Sequence, residues 1–417
     1  MTDVGRASAG IFAPLRNRRF ALYFAGQLQS QIGDGIFVVA LPFLILRKGG
    51  GSVHLGEVLA CYGAARLAVL QVGGTLVDRY GARPVMLGAD LLRAAVVFGL
   101  AGLVTVARVP LWPLIAFAVP FGVLDGLFRP ASFAFIPQIV PDSELPAANA
   151  LNTTMQSSAV IIGPAIGGAL VAGLPSSAAF FIDAVTFALS SLTLYAIGGR
   201  RGSAPVASVP DADSVDEADP RPSWRSVLGY LRASPLLQMA LLVTVMVNLA
   251  LGGLGEVVLP VFAIGPLHAG ARAFGLIMAG FGVGSVIGAL QSNAFMRLRR
   301  RGLAAVCLGI AEGLAIMCMP LGSLLAVAVL AMLVAAAFQA VINVFYLTML
   351  QRDVPKGTLG RVMSLLISCV YVAYPVSTVV SGALVGAVGP DAMIVLAGTC
   401  ISAAFLVGCV SKPYRSL

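Results

Sequence analysis

GTLVDRYGARPVML, Gly74 to Leu87, is a short charged turn between two long apolar stretches. Gly74 reads as a point where helices can approach closely, and Gly81 as a tight turn. Asp78, Arg79 and Arg83 crowd both signs of charge into a few residues. Working outward, the chain is 59% hydrophobic and only 11% charged over 417 residues, with a mean hydropathy of +0.94. Soluble domains carry about 25% charged residues, so a single soluble core is excluded. A bilayer span needs about 20 apolar residues. Twelve such stretches can be marked, the ninth at 303–320. The fold class is therefore an all-α membrane protein with twelve transmembrane helices.

The long polar stretch between spans six and seven divides the chain into 1–198, a linker 199–234 and 235–417. The linker holds Arg200 and Arg201, an acidic run (Asp211, Asp213, Asp216, Glu217, Asp219) and an amphipathic piece, SWRSVLGYLR. With a cytoplasmic N-terminus, 21 of the 27 Lys and Arg residues fall on the cytoplasmic side. That bias obeys the positive-inside rule and places both termini in the cytoplasm. It also accounts for the net charge of +9 as topology, so no nucleic-acid partner is expected. Residues 1–19 are polar and basic, with no apolar signal core, so no cleavable signal peptide is expected. The six cysteines lie in apolar stretches without CxxC spacing and read as packing residues, with no metal site. There is no GxxxxGK[ST] stretch for ATP.

The two halves repeat at a spacing of 214 residues. Gly74 matches Gly288, Val140 matches Val354, GALV at Gly168 matches GALV at Gly382, and His54 matches His268. Six helices followed by six in the same orientation form a parallel repeat, the arrangement of transporters with two rocking halves and a midplane site.

The Gly74–Leu87 turn resembles the loop signature G-x-L-x-D-R-x-G-R-[RK] of the major facilitator superfamily, matching at Gly74, Leu76, Asp78, Arg79, Gly81 and Arg83. Ala82 replaces a usual basic residue. The resemblance implies a two-halved twelve-helix fold. It also implies a cytoplasmic gate in which Asp78 meets the start of span eleven near Gly360 and Arg361. A carboxylate is favoured at a helix N-terminus and beside an arginine. The second half has Ser292 where Asp78 would stand. GPAIGGALV in span five, with Gly163, Pro164, Gly167 and Gly168, resembles a motif that marks exporters of this superfamily running as antiporters. In the family, spans five and eight face each other, and span eight carries Gly280, Gly284 and Gly288. The stretches SQIGDGIFVVALPFLIL, FRPASFAFIPQIVP, LPAANALNTTMQSSAVIIGPAIGG and GRVMSLL resemble the enterobactin-exporter and macrolide-efflux-like branch. The arginine that drug-exporting relatives often carry early in span four is missing from WPLIAFAVPFGVLDG.

Charges inside spans are costly and default to function. Asp34 in span one and Arg66 in span two lie at similar depth, so a pair is expected. Asp125 sits midway along span four. Asp34 is read as proton carrier, Arg66 as its partner, and Asp125 as second carrier or substrate contact. Asp90 and Arg93, three apart on span three, read as a structural ion pair near the cytoplasmic gate. Glu256, Asn248, Gln339, Asn343 and Tyr371 are candidates to line the cavity, and Glu312 is a weaker one. The two histidines, His54 and His268, sit in external loops.

The sequence thus predicts a proton-coupled exporter of a small amphipathic molecule in the bacterial plasma membrane. It needs no cofactor beyond the proton gradient, has no enzymatic activity, and works as a monomer in the bilayer. The competing readings are an importer of a small metabolite on the same fold, a membrane enzyme, and a transport-dead scaffold.

Overall fold

The structure, a computed structural model, describes residues 12–48, 50–105, 110–198, 231, 234–295, 301–354 and 356–410. The linker's acidic run and, apart from Leu231, SWRSVLGYLR lie outside the described residues. The chain is all-helical there. The long helices are α1 (Arg18–Arg47), α2 (Gly51–Tyr80), α3 (Ala82–Val104), α4 (Leu111–Ile139), α5 (Leu145–Gly173) and α6 (Ser176–Ala196). In the second half they are α7 (Pro235–Gly253), α8 (Gly270–Phe295), α9 (Arg301–Met317), α10 (Leu325–Asp353), α11 (Lys356–Val388) and α12 (Pro390–Val410). Past Gly253, α7 runs on through a π-helical turn, Leu254–Val258, into Leu259–Ile264.

Among the described residues, eleven helices are long and apolar enough to cross a membrane. The other, α9, has 17 residues and stops short of the 303–320 expected for it. Pro320 and Gly322, which sits at φ 71°, form the turn that follows.

The chain divides into two compact units: 1–40 with 64–210, and 41–63 with 211–417. In the first unit, Phe20 and Tyr23 of α1 pack with Met86 of α3, Phe135 of α4, Leu151 of α5 and Leu194 of α6. Glycines let α1 approach two neighbours at backbone distance. A Cβ at Gly35 would stand 2.6 Å from the Cα of Gly163 on α5, and one at Gly33 would stand 2.5 Å from the Asp183 carboxyl on α6. Gly81, at φ 85°, makes the sharp turn between α2 and α3. The expectation for Gly74 is corrected: nothing lies within 4 Å of where its Cβ would be. The close approach belongs to Gly73, against Pro130 and the Gly126 carbonyl on α4. Adjacent helix positions point about 100° apart, so one residue decides which glycine meets a neighbour.

In the second unit, Gly280, Gly284 and Gly288 put α8 against the backbone of α10 at Val329, Leu333 and Ala337. The first turns of α2 belong here too. Gly56 packs on Thr378 and Gly382 of α11, and Ser52 Oγ donates to the Gly382 carbonyl at 2.9 Å.

The α8–α10 approach tolerates no methyl group, because the atoms in the way are backbone. A Cβ at Gly284 would lie 3.0 Å from Leu333 Cα. Gly284→Ala should cost about 1–3 kcal/mol of stability by overpacking, while Gly74→Ala should be neutral. Thermal unfolding of the two purified variants checks this, and equal melting temperatures would refute it.

Candidate functional site

The charges inside the first unit converge from five helices. Their hub is Asp125 on α4. Its Oδ2 meets Arg66 Nε of α2 at 2.9 Å, and its Oδ1 accepts from Arg93 Nη2 of α3 at 2.9 Å. Arg129, one turn on along α4 and half exposed, lies 3.9 Å away. Arg93 also faces Asp90 at 3.6 Å and lies over the rings of Phe128 (4.5 Å) and Phe187 (5.5 Å). Those rings shield its charge from lipid while their faces attract it. A hydrogen-bonded chain runs from the other side: Gln27 Nε2 donates to Ser190 Oγ at 3.0 Å, and Ser190 Oγ donates to Asp90 Oδ2 at 2.7 Å. Asp34 on α1 lies within the field of Arg93, Asp125, Asp90 and Arg129, yet it forms no salt bridge with a described residue. The residue is partly exposed.

The geometry corrects the Asp34–Arg66 pair: Arg66 belongs to Asp125. Depth along the spans does not by itself decide a pair; direction around the helix does. Gly126, beside Asp125, brings α4 so close to α2 that a Cβ there would lie 2.6 Å from the Arg66 carbonyl. Asp90 and Arg93 do form the expected i,i+3 pair, but in the charge cluster and not at a gate. Sequence reasoning missed Asp183, Arg129, Ser190 and Gln27. Asp183 was legible as the one charge in the apolar run FFIDAVTF, Phe180 to Phe187.

The small-residue face of α5 is also corrected. Gly163 meets Gly35, and Gly167 meets Ile36 of α1 at 2.9 Å from its would-be Cβ, while the glycines of α8 meet α10. Each face is spent within its own unit. The Gly163–Pro164–Gly167–Gly168 segment is buried and supports α1 directly behind Asp34.

In the turn after α2, Asp78 and Arg79 are exposed, and Arg79 lies 5.3 Å over the Tyr80 ring. Arg83 donates to the last carbonyls of α6, Leu194 (2.8 Å) and Tyr195 (2.9 Å). A cation there caps orphan carbonyls and suits the helix dipole. The side chain of Arg361 lies outside the described residues.

In the second unit, Glu256 sits on the π-helical turn and accepts a hydrogen bond from the Tyr374 hydroxyl of α11. Sequence reasoning had named Tyr371 on that helix. Ser377 Oγ accepts from Gly253 N at 2.6 Å and donates to the Leu249 carbonyl at 2.5 Å, occupying backbone groups that the irregular turn frees. Asn248 donates to the Thr244 carbonyl at 2.8 Å, Gln339 is half-buried, and Asn343 is exposed. Glu312 is buried on α9. No group of three or more metal-ligating side chains is found among the described residues.

A helical membrane protein with an internal repeat and a buried charge cluster has the features of a secondary transporter. The model of the Major Facilitator Superfamily matches residues 23–378, and the chain belongs to that family of membrane transporters. It is similar to the enterobactin exporter EntS of Citrobacter koseri, 26% identical over 352 residues, covering 83% of this chain and 80% of that one. It is similar to the multidrug efflux pump Tap of Mycolicibacterium fortuitum, 25% identical over 372 residues, covering 87% and 88%. Its fold is that of a bacterial homologue of the iron transporter ferroportin, with a TM-score of 0.70 at 14% identity, covering 96% and 99%. The nucleoside transporter NupG aligns with a TM-score of 0.69 at 14% identity, covering 95% and 100%.

Removing Asp125 should expose what the hub does. Asp125→Asn leaves Arg66 and Arg93 short of a counter-charge, and stability should fall toward the low end of ~3–5 kcal/mol, the site being partly accessible. Adding Arg66→Met should recover part of that loss, because Arg93 keeps Asp90. A double-mutant cycle by thermal unfolding measures the coupling, and strict additivity would dismiss the pair.

Proposed function

We propose that the chain is a proton-coupled secondary exporter of a small amphipathic molecule, twelve spans long with both termini cytoplasmic, in a bacterial plasma membrane. The observation that carries this reading is Asp34. It is a partly exposed acid beside a network whose arginines are already engaged by Asp125 and Asp90. A carboxyl in that setting is neutral when protonated and repelled by its neighbours when ionised. Protonation therefore switches the charge of the cluster, and that switch biases two conformations in an alternating-access cycle. Arg93, which acts on Asp34 and bonds Asp125, is the cation able to shift between them. Arg83 fixes the turn that carries Asp78. Glu256 with Tyr374, and the amides Asn248 and Gln339, supply polar contacts from the second unit. The similarity to an enterobactin exporter and a multidrug efflux pump supports outward transport of a siderophore or drug-like compound.

The experiment uses inverted membrane vesicles holding an acid interior, a quenchable pH dye, and a catecholate siderophore and amphipathic antibiotics as probes. A compound should discharge the gradient with the wild type and fail with Asp34→Asn. Equal discharge by both proteins removes Asp34 from coupling. Uptake into right-side-out vesicles in place of export would make the importer the correct reading.

A further inference from the structure

Asp183, like Asp90, is a fully buried acid of the first unit. Its exposure is 0%, and its neighbours along α6, Phe180 and Phe187, are equally buried. Its Oδ2 accepts no hydrogen bond from a described residue. Its Oδ1 lies 3.4 Å from the Thr186 hydroxyl, long for an O–H···O bond, and that hydroxyl donates instead to the Asp183 carbonyl at 2.7 Å. Nearly every buried carboxylate oxygen has a partner, so an orphan calls for a physical account.

The account lies in its neighbours. Gly33 lets the α1 backbone pass against the Asp183 carboxyl, and the next residue is Asp34. The charges that act on Asp183 are Asp34 from α1, then Arg93 from α3. Arg93 is committed to Asp125 and Asp90, and Arg66 to Asp125, while Arg129 reaches only Asp125 and is half exposed. Four carboxyls thus share the buried Arg93 and the partly exposed Arg66. Asp125 and Asp90 hold these arginines, and Asp34 and Asp183 make no salt bridge with a described residue on either side of the Gly33 contact. Two neighbouring carboxylates whose nearest arginines are bonded to other acids repel each other when both are ionised.

We propose that Asp183 is a second proton-holding residue, joined to Asp34 across the glycine-lined α1–α6 contact, so that the two carboxyls bind and release protons as one unit. Each proton taken up forms one O–H bond and cancels one carboxylate charge. Asp34, the less enclosed of the two, exchanges protons first, and Asp183 shares them from within. The titration then belongs to the pair. The role of this pair in transport rests on the exporter reading, but its protonation does not.

Infrared spectra of the full chain in liposomes test it directly, because a neutral carboxyl has a C=O stretch that a carboxylate lacks. Asp183→Asn should remove one neutral-carboxyl band, and Asp34→Asn should displace that same band. An unchanged spectrum in Asp183→Asn would mean an ionised Asp183 and overturn the proposal. A band that vanishes with Asp183→Asn but ignores Asp34→Asn would make Asp183 a lone structural acid and overturn the pairing. Should Asp183→Asn not fold, Asp183→Glu keeps the acid and should shift the band; no shift overturns the proposal equally. Bands that behave as stated in a protein without proton-coupled transport would defeat the exporter reading and leave the pair standing.

Discussion

Asp125 between two arginines is the interaction on which the first unit depends. Arg66 and Arg93 are carried into the interior on apolar helices, and neither could stay there alone. One carboxylate bridging both at 2.9 Å brings α2, α3 and α4 together. It also engages the nearest cations, which leaves Asp34 and Asp183 in no salt bridge with a described residue. A site that must change protonation needs such unpaired acids. A fully paired one would only brace the fold.

Glycine makes that chemistry reachable. Gly126 admits the Arg66 backbone, Gly33 admits Asp183, and Gly35 interlocks with Gly163. The small face of α5, which by motif alone marks a transport direction, here acts as the backing of α1. It fixes the helix whose next residue is the accessible acid. Motif and charge cluster are therefore one structural device, since loosening the α1–α5 contact would move Asp34.

The membrane class and the family were legible in the apolar runs and in the Gly74–Arg83 turn, because both signals are local. The acids were legible too: Asp34, Asp125 and Asp90 each interrupt an apolar stretch. Which charge meets which was not. Arg66 was assigned to Asp34 by depth, but contact depends on rotation about the helix axis and on which side chain opposite is small. The same ambiguity put the close approach at Gly74 when Gly73 makes it. Asp183 escaped notice although its signal was as plain as that of Asp34. Tyr371 was read as a cavity residue, whereas the tyrosine that bonds Glu256 is Tyr374, one turn on. Positions three apart share a helix face, so sequence alone narrows such a contact to a stripe.

The repeat shows why the charge is one-sided. At its spacing of 214 residues, Asp34 corresponds to Asn248, Asp125 to Gln339 and Arg66 to Gly280. The second unit keeps polar side chains at two of these positions but makes them amides, which hydrogen-bond without taking up a proton. With no arginine at 280, α8 closes onto the α10 backbone where α2 instead carries Arg66 to Asp125. The acid of the second unit, Glu256, corresponds to Pro42. One copy has a proline inside α1 and the other a π-helical turn after α7, so both lose regular helical hydrogen bonding at the same place. In the second copy the freed backbone groups are met by Ser377 and the turn presents a carboxylate to Tyr374. The duplicated scaffold thus keeps its break in α1 and α7. It has moved titratable charge to the midsection of one copy and to the break in the other.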